Sequence, residues 1–203
     1  MNIYLICTIL ATISPFGAND MQRNYDHTME QCKTVLTEKK NEEHARSIAK
    51  DDYSLLIPNK VEVRCHDTGN NAYQEYINME NMADLYTYNY WEKYAPDTYG
   101  KCKVIADHNN QNFSGLFSVN YDDTLYLTNK QNNTTKYKVY DIIYNTKWIN
   151  KRIYAEDDSF WYRDWPTMLD KKNRSVFRYD ENYIVTYTCI DDVNRLAIVW
   201  KKK

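Results

Sequence analysis

The chain has 203 residues, 43% of them hydrophobic and 27% charged, with a formal net charge of −2. That length fits one domain with a sizeable core better than two, and the near-neutral balance provides no basic field to hold nucleic acid. Twenty Tyr, five Trp and five Phe against four Gly and four Pro tilt the composition toward pleated, half-buried surface.

Residues 1–18, MNIYLICTILATISPFGA, carry no charged side chain, and their apolar run is too short to span a bilayer. This predicts a signal peptide and a secreted, extracellular protein with no membrane span. Its removal takes Cys7 and leaves Cys32, Cys65, Cys102 and Cys189, an even number that in an oxidising compartment predicts two disulfides. Export also gives meaning to the glycosylation acceptor patterns at Asn112, Asn132, Asn133 and Asn173. Residues 19–62 read as a partly helical N-terminal extension, with a surface helix over Thr28–Lys50 where Met29, Cys32, Val35 and Leu36 fall at helical spacing. The stretch KDDYSLLIPNK around Pro58 reads as a polar link leading to VEVRC.

Beyond Met82 the chain is a series of short alternating runs separated by Asn, Asp, Gly and Lys: KVIADH, FSGLFSVNY, TLYLT, KYKVYDIIY, KWINKRIYA, SFWYRDW, SVFRY, NYIVTYTC and RLAIVW. Short strands at this spacing predict an antiparallel sandwich or barrel. The sequence has too few glycines for a nucleophile elbow or a phosphate-binding loop. His27, His44, His66 and His108 are scattered without paired-ligand spacing, so no metal is expected. Acidic pairs such as Asp191-Asp192 fall between strands and read as solvated turns. By elimination the chain reads as a binding protein and not an enzyme, with no catalytic residue.

Three motifs, in order, resemble the lipocalin family and most closely its insect bilin-binding, apolipoprotein D-like branch. NMADLYTYNYWEKYA is similar to the N-terminal signature through Asn81, Met82, Trp91 and Glu92, with Asn89 in place of Gly. TYGKC resembles the start of the second barrel strand, and RYDENYIVTYTC resembles the T-D-Y region through Tyr179 and Asp180, with Arg178 replacing Thr. The resemblance implies an all-β fold: an eight-stranded antiparallel up-and-down barrel over residues 63–203, with an N-terminal helical extension and no C-terminal helix. It gives Trp91 a structural place on the barrel floor and puts Lys202 where an Arg usually packs over that Trp. It also implies a Cys65–Cys189 disulfide. Cys102 is then left to pair with Cys32, a bridge worth roughly 4 kcal/mol through its long loop, or to stay free or link two molecules.

The function that follows from the resemblance is carriage of a small hydrophobic ligand in the barrel cavity. Leu116, Ser118 and Asn120 on the third strand, Ile184, Thr186 and Thr188 on the T-D-Y strand, and Leu196, Ile198 and Trp200 on the last strand are its wall candidates. No cofactor is required; a bound tetrapyrrole, fatty acid or other lipid fits such a cavity. The alternative is a secreted, salivary-type lipocalin that inhibits a protein partner through its outer surface, with the aromatic SFWYRDW as the contact patch.

Overall fold

The computed structural model describes residues 18–69, 81–88, 102–149, 152–154, 161–162 and 182–203. Contacts divide the chain into one unit ending at His44 and another beginning at Ala45. Helix α1 (Ala18–Ala49) starts well before the Thr28 expected from its apolar spacing. Its first turns have no apolar stripe for periodicity to detect. They are held instead by local polar bonds: the Gln22 amide donates to Asp26 at 2.9 Å, and the Thr28 hydroxyl to the Asn24 carbonyl at 2.8 Å. Cys32, on this helix, is disulfide-bonded. The helix stops where Lys50 and Asp51 take positive φ of 44° and 72°, a left-handed exit that commonly ends helices.

The second unit is built on one sheet. Its strands are β1 (Tyr53–Ile57), β2 (Val61–Asp67), β3 (Met82–Tyr88), β4 (Cys102–Ala106), β5 (Thr124–Thr128), β6 (Thr134–Ile149), β7 (Arg152–Tyr154), β8 (Trp161–Tyr162), β9 (Tyr183–Cys189) and β10 (Asn194–Lys202). A short 3-10 helix, η1 (Asn112–Ser118), lies between β4 and β5. The strand order is β10-β9-β4-β3-β2-β1-β5-β6, and β6 pairs back onto β10, so these eight strands close into a barrel; β7 and β8 continue beyond β6. The all-β barrel with an N-terminal helix is therefore present.

The up-and-down antiparallel topology is not. β2 pairs with β3, and β4 with β9, in parallel. β9 lies beside β4 and β5 beside β1, arrangements that need crossovers and that a meander of chain neighbours cannot make. Met82, which the resemblance placed in the N-terminal signature, a short helical turn in that family, instead opens strand β3.

The sheet also begins earlier than residue 63. β1 occupies the stretch read as a polar link, and it pairs with both β2 and β5. Its run Ser54-Leu55-Leu56-Ile57 is buried throughout. Leu55 and Ile57 join the barrel core, while Leu56 packs on the opposite face with Ala45, Ile48 and Tyr126. A strand covered on both faces shows no alternation, which is why it escapes a period-two reading. The β1–β2 turn is encoded more openly. Pro58 precedes Asn59, whose φ is 63°, and the Lys60 N–H donates to the Ile57 carbonyl at 2.9 Å, as a type II turn requires.

The expected strand FSGLFSVNY is η1 instead. Phe113 and Leu116, three residues apart, are the two it buries, a helical and not a pleated spacing. Gly115 lets this helix lie against the β1–β2 turn: a Cβ there would sit 1.9 Å from the Lys60 carbonyl oxygen. Lys60 completes the lock, its Nζ donating to the Ser118 carbonyl at 2.8 Å and to Asp123.

Inside the barrel, Leu55, Val63, Leu85, Ile105, Phe113, Leu125, Ile198 and Trp200 form one continuous core. The Trp200 indole N–H is satisfied there by the Thr186 hydroxyl at 2.9 Å, which removes the cost of burying an unpaired donor.

Candidate active site

The parallel pair β4–β9 determines which groups meet at one end of the barrel. Val104 pairs with Val185, Ile105 with Thr186 and Ala106 with Tyr187. The pairing runs on past the strand end: the Asp107 N–H donates to the Tyr187 carbonyl at 3.4 Å, and the Thr188 hydroxyl donates to the Asp107 carbonyl at 2.7 Å. Continued by one residue, the same offset would bring His108 level with Cys189. On the other side of β9, Arg195 of β10 pairs directly with Cys189.

Alternation gives the three residues a common face. Ile105, Ile184, Leu196 and Ile198 belong to the barrel core, so the residues between them point outward. Cys189 and Arg195 share the outward parity on β9 and β10, and His108, two residues past the end of β4, takes the same parity when that strand's alternation is continued to it. Cys189 thus has an arginine at one strand spacing, about 5 Å, on one side, and on the other the segment past β4 that carries His108. All three are half-buried.

Each member has a specific support. Cys189 is a free thiol. Arg195 is anchored by its own turn, Nη1 donating to the carbonyls of Asp191 at 2.9 Å and Asn194 at 3.0 Å; a guanidinium has five N–H donors in all. That turn is tied by the Asp191 carboxylate, which accepts from the N–H groups of Val193 at 2.9 Å and Asn194 at 2.6 Å and from the Asn194 amide at 2.6 Å. These donors hold the Asp191 carboxyl below its usual range. On the histidine side, the His108 N–H donates to the Asp107 carboxylate at 2.6 Å, and its carbonyl accepts from the Gln111 N–H at 3.2 Å. Asp107 has no exposed surface, and burial raises its carboxyl above the usual range against the opposing hydrogen bonds from Asn112 and His108.

Among the described residues there is no group of three or more His, Cys, Asp or Glu that could hold a metal, and no helix long and apolar enough to cross a membrane.

No family model matches the chain, and no curated protein matches it. Solved structures similar to it include sortase A from Corynebacterium diphtheriae as a lid mutant, at 18% identity over 75% of this chain and 69% of that one, with a TM-score of 0.45. Sortase A from Listeria monocytogenes is similar at 16% identity over 74% of this chain and 86% of that one, with a TM-score of 0.45. Group B Streptococcus pilus island 1 sortase C2 is similar at 15% identity, covering 74% and 73%, with a TM-score of 0.46.

The similar structures named are sortases; what overturns the lipocalin reading is the mixed sheet, with its parallel pairs β2–β3 and β4–β9. The small-ligand carrier, the pigment or lipid partner and the surface-acting inhibitor were all drawn from that reading and fall with it. The expectation of a non-enzyme is likewise corrected: a cysteine, an arginine and a histidine that the sequence scatters lie on β9, on β10 and just past β4, three neighbouring strands of the sheet.

The residues expected to line a cavity are distributed differently. Ile184, Leu196, Ile198 and Trp200 do face inward, but into a packed core, and Thr186 and Thr188 are buried with hydroxyls engaged by Trp200 and Asp107. Leu116 is buried on η1, whereas Ser118 at the end of η1 and Asn120 beyond it are exposed. Lys202 is exposed at the end of β10, and Trp91 lies outside the described residues. Among the acceptor asparagines, Asn112 is half-buried with its amide donating to Asp107 at 2.6 Å, Asn132 and Asn133 are exposed in the β5–β6 turn, and Asn173 lies outside the described residues.

The Cys65–Cys189 disulfide is absent, since both thiols are free. β2 and β9 are separated by β3 and β4, which puts the two cysteines roughly 14 Å apart across the sheet, beyond the reach of a disulfide.

Proposed function

We propose that the chain is a cysteine-dependent acyl-transfer enzyme, acting on an amide or ester carbonyl. The observation that carries this is the strand register that sets Cys189 between His108 and Arg195 on one outward face. Cys189 is the nucleophile, His108 the general base and acid, and Arg195 the electrostatic partner of the oxyanion. A nucleophilic thiol next to a base, with a fixed positive group where charge develops, is the arrangement this chemistry needs.

The steps use only the chain's own groups. His108 takes the Cys189 proton as Sγ attacks the carbonyl carbon, and the carbonyl electron pair moves to the oxygen facing Arg195. Collapse of the tetrahedral species expels the amine or alcohol, which leaves with the proton held by His108, and a thioester remains on Cys189. An incoming water or amine, deprotonated by His108, attacks the thioester. Its collapse releases the acyl product and returns the proton to sulfur.

The test uses 4-nitrophenyl acetate as an acyl donor, with intact mass and peptide mapping as readouts. One acetyl group is expected on Cys189, none in Cys189→Ala, and acetylation slowed on the order of 100-fold in His108→Gln. Acetyl transfer that lands elsewhere, or proceeds unchanged in His108→Gln, overturns the proposal.

A further inference from the structure

Asp107 belongs to neither the hydrophobic core nor the three proposed reactive groups, yet it bonds both to His108 and to the strand that carries Cys189. Its carboxylate receives the His108 N–H on one oxygen and the Asn112 amide on the other, each at 2.6 Å. Its own carbonyl receives the Thr188 hydroxyl at 2.7 Å, one residue before Cys189, and its N–H reaches the Tyr187 carbonyl at 3.4 Å. The residue thereby bonds on one side to the backbone of the histidine and on the other to the strand of the cysteine, with no exposed surface of its own. His108 lies past the end of β4, where the ladder no longer fixes it; without the carboxylate, only the Gln111 N–H to its carbonyl would define its backbone among these bonds.

On this basis we infer that Asp107 is a positioning residue, clamped by Asn112, that holds His108 in register with Cys189; the inference rests on the proposed acyl-transfer reading. The carboxylate oxygens bind backbone and amide donors, so its role is to place the histidine and not to react. Burial of a carboxylate for stability alone would be a poor arrangement, because transfer of the charged form out of water is costly. The raised carboxyl agrees with that net cost.

The experiment measures the coupling between His108 and Cys189 in the full chain. The His108 imidazole is titrated by NMR, its resonance assigned with His108→Gln, in proteins with and without Cys189→Ala. In the wild-type background, removing the thiol is expected to move the His108 midpoint, since neighbouring titratable groups interact. In the Asp107→Asn background the same removal is expected to leave it nearly unmoved. The comparison is made within each background, so the direct loss of the Asp107 charge cancels. Acetylation of Cys189 should fall roughly tenfold in Asp107→Asn, while thermal unfolding stays within about 3 °C of wild type. Asn112→Ala releases the clamp from its other side and should weaken the coupling too; it serves as the test if Asp107→Asn does not fold.

Coupling in Asp107→Asn, or in Asn112→Ala where that is the test, equal to that of the wild type overturns the positioning role while the acyl-transfer reading stands. Absence of coupling in the wild type itself overturns the His108–Cys189 pair, and with it both readings.

Discussion

Cys65 and Cys189 are free thiols on strands of the same sheet, and their surroundings separate a sulfur buried in the core from one that reaches the outer face. Cys65 sits on β2 with no exposed surface, in the barrel core with Leu55, Val63 and Ala83. Burial, reinforced by the negative charges of Asp107, Asp84 and Asp52, pushes its thiol far above the usual range. A thiol that does not ionise is a small apolar side chain. Cys189 closes β9 half-exposed on the outer face, with Arg195 paired to it on one side and the segment past β4 that carries His108 on the other. Equal chemistry at the sulfur therefore meets unequal surroundings, and on the proposed acyl-transfer reading the face of the sheet that each strand position presents makes the difference in reactivity.

The largest effect that would break this contrast is at Cys189 itself. Cys189→Ala should reduce acetylation of the protein by on the order of 1000-fold or more, with Cys65 remaining unlabelled until the protein is unfolded. Labelling of folded Cys65 at a rate near that of Cys189 would erase the distinction.

On the interior side, Trp200 is the largest of the fully buried side chains, and its indole N–H ends on Thr186. Trp200→Ala should lower unfolding stability by about 3–5 kcal/mol, measured by denaturant titration. Cys65→Ser sharpens the same side more finely. A hydroxyl in place of a core thiol should cost about 1–3 kcal/mol and leave the acetylation rate of Cys189 unchanged. A change in that rate, at unchanged fold, would show that interior and outer face are not independent.

How much of this was legible in the sequence follows from the range of each interaction. The runs TLYLT, NYIVTYTC and RLAIVW become β5, β9 and β10 because pleated alternation is local. The all-β architecture, sandwich or barrel, followed from the number of such runs; the choice of a barrel came with the resemblance. Three features were missed for local reasons: β1 is apolar on both faces, the first turns of α1 have no apolar stripe, and η1 buries residues at a spacing of three.

The site was missed for a different reason. The sequence shows a histidine just past the run CKVIA, a cysteine ending the run YIVTYTC and an arginine early in the next strand. What makes them neighbours is a parallel pairing between β4 and β9, across some eighty residues of chain, and nothing local encodes it. The assignment of Cys189 to a disulfide removed the one nucleophile from consideration. A cysteine at the end of a strand, followed within a short turn by an arginine at the start of the next, was the available signal.

The smallest expected effect concerns the turn that carries Arg195. The exposed Asp191 carboxylate collects the donors of Asn194 and Val193, and these favour its charged form over the small opposing cost of desolvation. A carboxyl lowered by folding stabilises the fold at pH values above its unfolded range, near 4, and the contribution disappears as pH falls through the lowered folded value. The melting temperatures of wild type and Asp191→Ala should therefore differ slightly at neutral pH and converge in acid. Because Arg195 donates to the carbonyls of Asp191 and Asn194, the same substitution should also slow acetylation of Cys189, by less than His108→Gln does. A melting difference that persists at acid pH would mean that the substitution acts through the backbone of the turn. An unchanged acetylation rate would mean that Arg195 keeps its place without the Asp191 side chain.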